Sequence, residues 1–156
     1  MLDTLPGQLD PRPGAVAIRR GLLRTMHACG FVAVVELPLV SGRRADVVAL
    51  GSGAEIWVIE IRSSVADYRT DRKWPEYRRH CDRLLFAVAP DFPCELIPPA
   101  AGLILADAYG GDIVRKGALH RLAAGTRKAM LVRIARAAAA RLAAVNDPIL
   151  GELELR

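Results

Sequence analysis

Three ionisable residues sit where a sequence normally places core side chains: Asp46, Glu60 and Arg62. They belong to the stretch RRADVVALGSGAEIWVIEIR, Arg43 to Arg62, which reads as two strands joined by a Gly51-Ser52-Gly53 turn. Alternation with a period of two puts Arg44, Asp46, Val48 and Leu50 on one face of the first strand. In the second strand it puts Ile56, Val58, Glu60 and Arg62 on one face, and Trp57, Ile59 and Ile61 on the other. Both faces of the second strand are largely apolar, so it should be central and covered on both sides. A carboxylate buried there costs several kcal/mol unless something compensates it. Asp46 lies on the neighbouring strand, and two carboxylates brought together repel unless a cation holds them.

An Asp on one strand and an acid-x-Lys tripeptide on the next is the local plan of the PD-(D/E)XK nuclease superfamily. The matching pieces here are Ala45-Asp46 and Glu60-Ile61-Arg62. The longer run EIRSSVADYRTDRKWPEYRRHCDRLLFAVAPDFP, Glu60 to Pro93, resembles the signature of the bacterial MmcB-like DNA repair family, which is assigned to the same nuclease-like fold. The resemblance extends from about Arg12 to about Leu142. It implies an α/β protein with a restriction-endonuclease-like core, a mixed central β-sheet flanked by helices. It also implies a Mg²⁺ or Mn²⁺ site at Asp46, Glu60 and the carbonyl of Ile61, with DNA as the partner and phosphodiester hydrolysis as the reaction. Mg²⁺ favours hard oxygen ligands and keeps several waters.

Arg62 departs from the family pattern, which has Lys at that place. The planar guanidinium fork suits a phosphate. It cannot act as a base, because a guanidinium is not deprotonated in proteins. Proton removal would then fall to the metal or to Glu36. Two readings follow: a metal-dependent deoxyribonuclease, or a nuclease-like module that binds DNA or recruits a repair partner without cutting. In the second, Asp46, Glu60 and Arg62 would persist as a buried ion-pair cluster. A third reading is a structural protein–protein module whose charge is incidental.

The 156 residues suit a single domain spanning 1–156, with 1–12 as a loose arm and 146–156 as a tail. Hydrophobic content of 52% and a mean hydropathy of +0.20 allow a sizeable core. A formal net charge of +5 suits a polyanionic partner. Cys29, Cys81 and Cys94 are too widely spaced for a zinc motif or a disulfide framework, and Cys29 and Cys81 fall at apolar positions expected to be buried. The N-terminus lacks the pattern of a signal peptide, and no stretch is apolar enough to span a membrane, so a reduced, cytoplasmic setting is expected. A two-fold dimer would suit cutting both strands, but no sequence feature shows one.

In chain order, a helix is expected from about Pro13 to Cys29, with Ala15, Ile18, Leu22, Met26 and Cys29 as its apolar stripe. It carries no acidic residue, so it cannot supply the third metal carboxylate that many superfamily members take from their first helix. The first strand, Phe31 to Leu37, ends near Glu36. That residue could stand in as the third carboxylate across a hairpin turned at Ser41-Gly42. It could equally be a solvated strand-end Glu paired with Arg43 or Arg44.

Ser64 is positioned to cap a helix beginning near Val65, which Pro75 interrupts. Lys73 and Tyr77, four apart, resemble the Gln-x-x-x-Tyr helix motif of one nuclease branch, with Lys in place of Gln. On the functional reading Arg69, Lys73 and Tyr77, with Arg44 and Ser63, contact the nucleic acid. On the bland one this is a solvated charged helix with Trp74 and Tyr77 packed onto the sheet. Arg83 to Ala89 reads as a buried strand parallel to the Glu60 strand. Gly102 to Asp107 and Asp112 to Arg115 read as a hairpin. The last helix, Thr126 to Val145, has Leu131, Ile134, Ala135, Ala138, Leu142 and Val145 as its stripe, and Arg133 and Arg136 pointing away. His27, His80 and His120 lack nucleophile partners at a recognisable spacing.

Overall fold

In a computed structural model of the chain, residues 13–70 and 73–153 are described. The arm 1–12 and residues 71, 72 and 154–156 lie outside them. Six strands form one mixed sheet: β1 (Val32–Pro38), β2 (Arg44–Leu50), β3 (Ile56–Arg62), β4 (Arg83–Val88), β5 (Gly102–Ala106) and β6 (Gly111–Arg115), paired in that order. β1, β2 and β3 form an antiparallel meander. β4 and β5 continue parallel to β3, and β6 closes the sheet antiparallel to β5. Every residue of β3 is buried, Glu60 and Arg62 included, as its largely apolar faces predict.

Helices cover both faces, which matches the expected α/β architecture. α1 (Ala15–Ala28) lays Ile18, Leu22 and Met26 onto Val47, Trp57, Ile59 and Leu85. Gly21 makes this approach close: a Cβ there would meet the Asp107 carbonyl oxygen at 1.8 Å. On the other face lie α2 (Val65–Thr70), a 3₁₀ helix (Trp74–His80) and α3 (Ala124–Asn146), which is followed by the short α4 (Pro148–Glu152). Ser64 caps α2 as expected, its hydroxyl accepting from the Asp67 N–H. Pro75 sits in the first turn of the 3₁₀ helix, so the charged segment after α2 tightens instead of continuing as α-helix.

Three expectations are corrected. Cys29 is exposed at the end of α1, and only Cys81 is a buried thiol. The stripe of α3 is narrower than its composition suggests. Met130 and Ile134 are buried, whereas Leu142 and Val145 stand 62% and 79% exposed. Polar anchors replace them along the seam: Arg141 donates to the carbonyls of Val35 and Glu36, and Arg133, expected to point away, donates to Pro38. The third correction is in β2. Val47 and Ala49 face α1, but Ala45 and Val48 both join the opposite cluster. Strict alternation forbids that for positions three apart, so the strand turns over at Asp46. The position opposite in the register is Glu36, whose φ is +50°.

One buried acid went unread in the sequence. Asp82, 2% exposed, ties three segments together. It accepts from the Ile56 and Leu122 N–H groups and from both ends of the Arg127 fork, the latter at 2.7 Å. Burial would raise its carboxyl, but these donors hold it down at about 2. The folded value lies below the ordinary 3.8, so the stabilisation is present above about pH 4 and is lost as pH falls toward 2. Arg127→Ala is expected to cost about 3 kcal/mol by leaving Asp82 buried and unpaired. Urea denaturation at pH 7 measures it, and the loss should shrink at pH 2.5.

Candidate functional site

The turnover at Asp46 sets the site. Instead of sharing a face with Val48 and Leu50, Asp46 lines an open cavity of about 340 Å³ with Ala15, Val16 and Arg19 of α1, and with Glu36, Ile61, Arg62 and Asp67. Its Oδ2 accepts from the Ile61 N–H at 2.9 Å, which locks the carboxylate against β3. Glu60, 1% exposed, lies beneath. Arg62 reaches over both acids. Its Nη1 donates to the Ile61 carbonyl oxygen at 2.7 Å and stands 3.4 Å from Asp46 Oδ2 and 3.8 Å from Glu60 Oε2. The guanidinium lies 5.7 Å from the centroid of the Phe86 ring, and the Arg62 side chain is 7% exposed. Asp46, Glu60, Ile61 and Arg62 are therefore brought together as their spacing implied.

The surrounding candidates divide. Glu36 borders the same cavity, yet no three acidic, His or Cys side chains among the described residues close into a metal-holding group. Ser63 is half-buried and its N–H donates to Asp67 Oδ2. Arg44, Arg69 and Lys73 are exposed and do not line the cavity. Tyr77 is a correction. It is 8% exposed, packs with Leu37, Leu39 and Cys81, and its hydroxyl donates to the Arg44 carbonyl. A ring held in the core is not offered to a nucleic acid. The sequence signal for this was available: Tyr77, Cys81 and Trp74 fall on the apolar side of the segment.

A family profile described as DNA repair protein MmcB-like matches residues 8–149. The chain belongs to this MmcB-like family. The expected resemblance holds, and it assigns the chain a role in DNA repair. A solved structure, the SPO1766 protein of unknown function from Silicibacter pomeroyi, is similar, with a TM-score of 0.82 and 44% identity. The match covers 90% of this chain and 94% of that one. No curated protein matches. No helix among the described residues is long and apolar enough to cross a membrane.

The MmcB-like site fits a hard divalent cation on its own chemistry. Asp46, Glu60 and the Ile61 carbonyl offer oxygen only, the donor type that Mg²⁺ and Mn²⁺ take. Glu60 Oε1 is buried and has no hydrogen-bond partner among the described residues. The cavity wall carries the carboxyl groups of Glu36, Asp46 and Asp67 against the guanidinium groups of Arg19 and Arg62, and Glu60 adjoins it beside Arg62. A divalent cation there would favour the ionised form of Glu60.

Without a cation, the site strains the MmcB-like fold. Burial, and then the neighbouring Asp46 carboxylate, push Glu60 up to about 10 against the pull of Arg62. A folded value above the unfolded one means the contribution to stability is full below about pH 4.5 and is lost as pH rises toward 10. Glu60→Gln should therefore be more stable than wild type at pH 8 in chelator, by more than about 1 kcal/mol, and the gap should close near pH 4.5. Tyr77→Phe should cost about 1 kcal/mol of stability, the worth of one buried hydrogen bond, and leave DNA affinity unchanged in a gel-shift titration.

Proposed function

We propose that this MmcB-like protein is a metal-assisted deoxyribonuclease of DNA repair, hydrolysing phosphodiester bonds at the Asp46–Glu60 site. The supporting observation is the gathering of carboxyl oxygen around one cavity, including the buried, unpartnered Glu60 Oε1 beside it. A cavity so rich in carboxylates repels a phosphate unless a cation intervenes. Asp46, Glu60 and the Ile61 carbonyl would hold that cation. When bound, it would neutralise charge on the phosphate and activate water.

The chain's own residues supply the rest. Asp46 is fixed by the Ile61 N–H and lines the cavity. The Arg62 fork matches two phosphate oxygens and stays charged throughout. Glu36, on the cavity wall, would accept a proton. Arg44, Ser63, Arg69 and Lys73 would carry the backbone on either side, in keeping with the net charge of +5.

A second reading draws on the position of Arg62. Its Nη1 already lies among the oxygens that a metal would use, as a non-cutting DNA-binding or partner-recruiting module would have it. Labelled single-stranded, duplex and branched DNA, incubated with Mg²⁺ or Mn²⁺, separate the two. The nuclease reading expects cleavage that falls at least about 10³-fold in both Asp46→Ala and Glu60→Ala. Binding that weakens steeply with salt, with no cleavage by wild type or Arg62→Lys, would leave the binding module.

A further inference from the structure

We infer that Arg62 is a built-in competitor for the cation, and that a DNA phosphate is what draws it off the metal-binding oxygens. The inference rests on the metal-dependent reading above. Arg62 Nη1 is 2.7 Å from the Ile61 carbonyl oxygen, 3.4 Å from Asp46 Oδ2 and 3.8 Å from Glu60 Oε2. Those are the three groups assigned to the cation. Mg²⁺ bonds oxygen at about 2.0–2.1 Å, so an ion touching all three would fall in the space that Nη1 fills. Two positive charges at such a separation also repel strongly. The guanidinium and the divalent ion therefore exclude each other in this arrangement.

The guanidinium is well held. The Phe86 ring lies beneath it, and the side chain is almost closed to solvent. A compact ammonium on a flexible stem touches oxygens one at a time, whereas the planar fork holds its donors in a fixed array. The cost of moving Arg62 is therefore charged against every cation that binds. The cavity opening beside Arg62 gives the fork somewhere to go. A phosphate there offers it two oxygens in the geometry it prefers. Metal and DNA then raise each other's affinity, because each favours the same displaced Arg62, and the coupling is reciprocal. The free protein binds metal weakly, and the site assembles on its substrate.

Mn²⁺ binding by the purified full chain, followed through the paramagnetic resonance signal of the free ion, tests this without turnover. Arg62→Met should bind Mn²⁺ at least about tenfold more tightly than wild type in the absence of DNA. A phosphorothioate dinucleotide should tighten binding by wild type by a larger factor than it tightens binding by Arg62→Met, because only wild type has an Arg62 to draw away. Arg62→Lys keeps the charge and serves if Arg62→Met fails to fold; it should bind more tightly than wild type. Equal affinity in wild type and both variants would overturn the competition and leave the metal site standing. No Mn²⁺ bound by any of the three, with or without dinucleotide, would overturn the metal-dependent reading and the competition with it.

Discussion

A carboxylate at the centre of a fully buried strand is the constraint on which this structure turns. Glu60 sits in β3 with neighbours paired on both sides. Water cannot reach it, and burying its charge is expensive. The fold sets Arg62 beside it, but the same guanidinium also faces Asp46, and burial with Asp46 still pushes the Glu60 carboxyl up to about 10, toward its neutral form. Core packing on both faces holds it there: Trp57, Ile59 and Leu85 under α1, and Val58, Leu84 and Met130 on the other side. Stability elsewhere sustains an electrostatically unfavourable centre, the pattern expected of a working site.

Much of this was legible from the chain. β3 announced itself by apolar residues on both faces, and β4 by a short apolar run after a helical segment. The parallel pairing of the two followed from the crossover rule. The convergence of Asp46 with Glu60, Ile61 and Arg62 was legible too, because neighbouring strands joined by a short turn can pair in few registers. What escaped was the turnover of β2 at Asp46. Alternation is a rule for regular strands, and the irregularity lies at a pair, Glu36 opposite Asp46, that only the three-dimensional register reveals. The bidentate Arg127–Asp82 pair escaped for a similar reason: 45 residues separate its members, and nothing local marks either. The α3 stripe failed because Ala and Leu promise burial by type alone. The seam of that helix is completed by arginines seeking carbonyls.

Family membership and geometry carry different parts of the functional argument. The MmcB-like profile places the chain in DNA repair. The similar solved structure extends the architecture across nearly the whole chain. Neither speaks of cleavage. That step comes from oxygen donors gathered in a confined space, and from the one residue type, arginine, that changes how such a space fills.

The arginines of α3 bear on a different matter. β1 is an edge strand, and an edge normally offers a free row of backbone groups to any extended chain that drifts past. Here the carbonyls of Val35, Glu36 and Pro38 are already claimed by Arg141 and Arg133. The helix thus acts as a guard rail: the C-terminal half of β1 is closed to strand-by-strand growth, and with it one route to aggregation. The stretch it protects is the one that faces Asp46, so the guard keeps foreign strands away from the candidate site while the cavity beside it stays open to solvent.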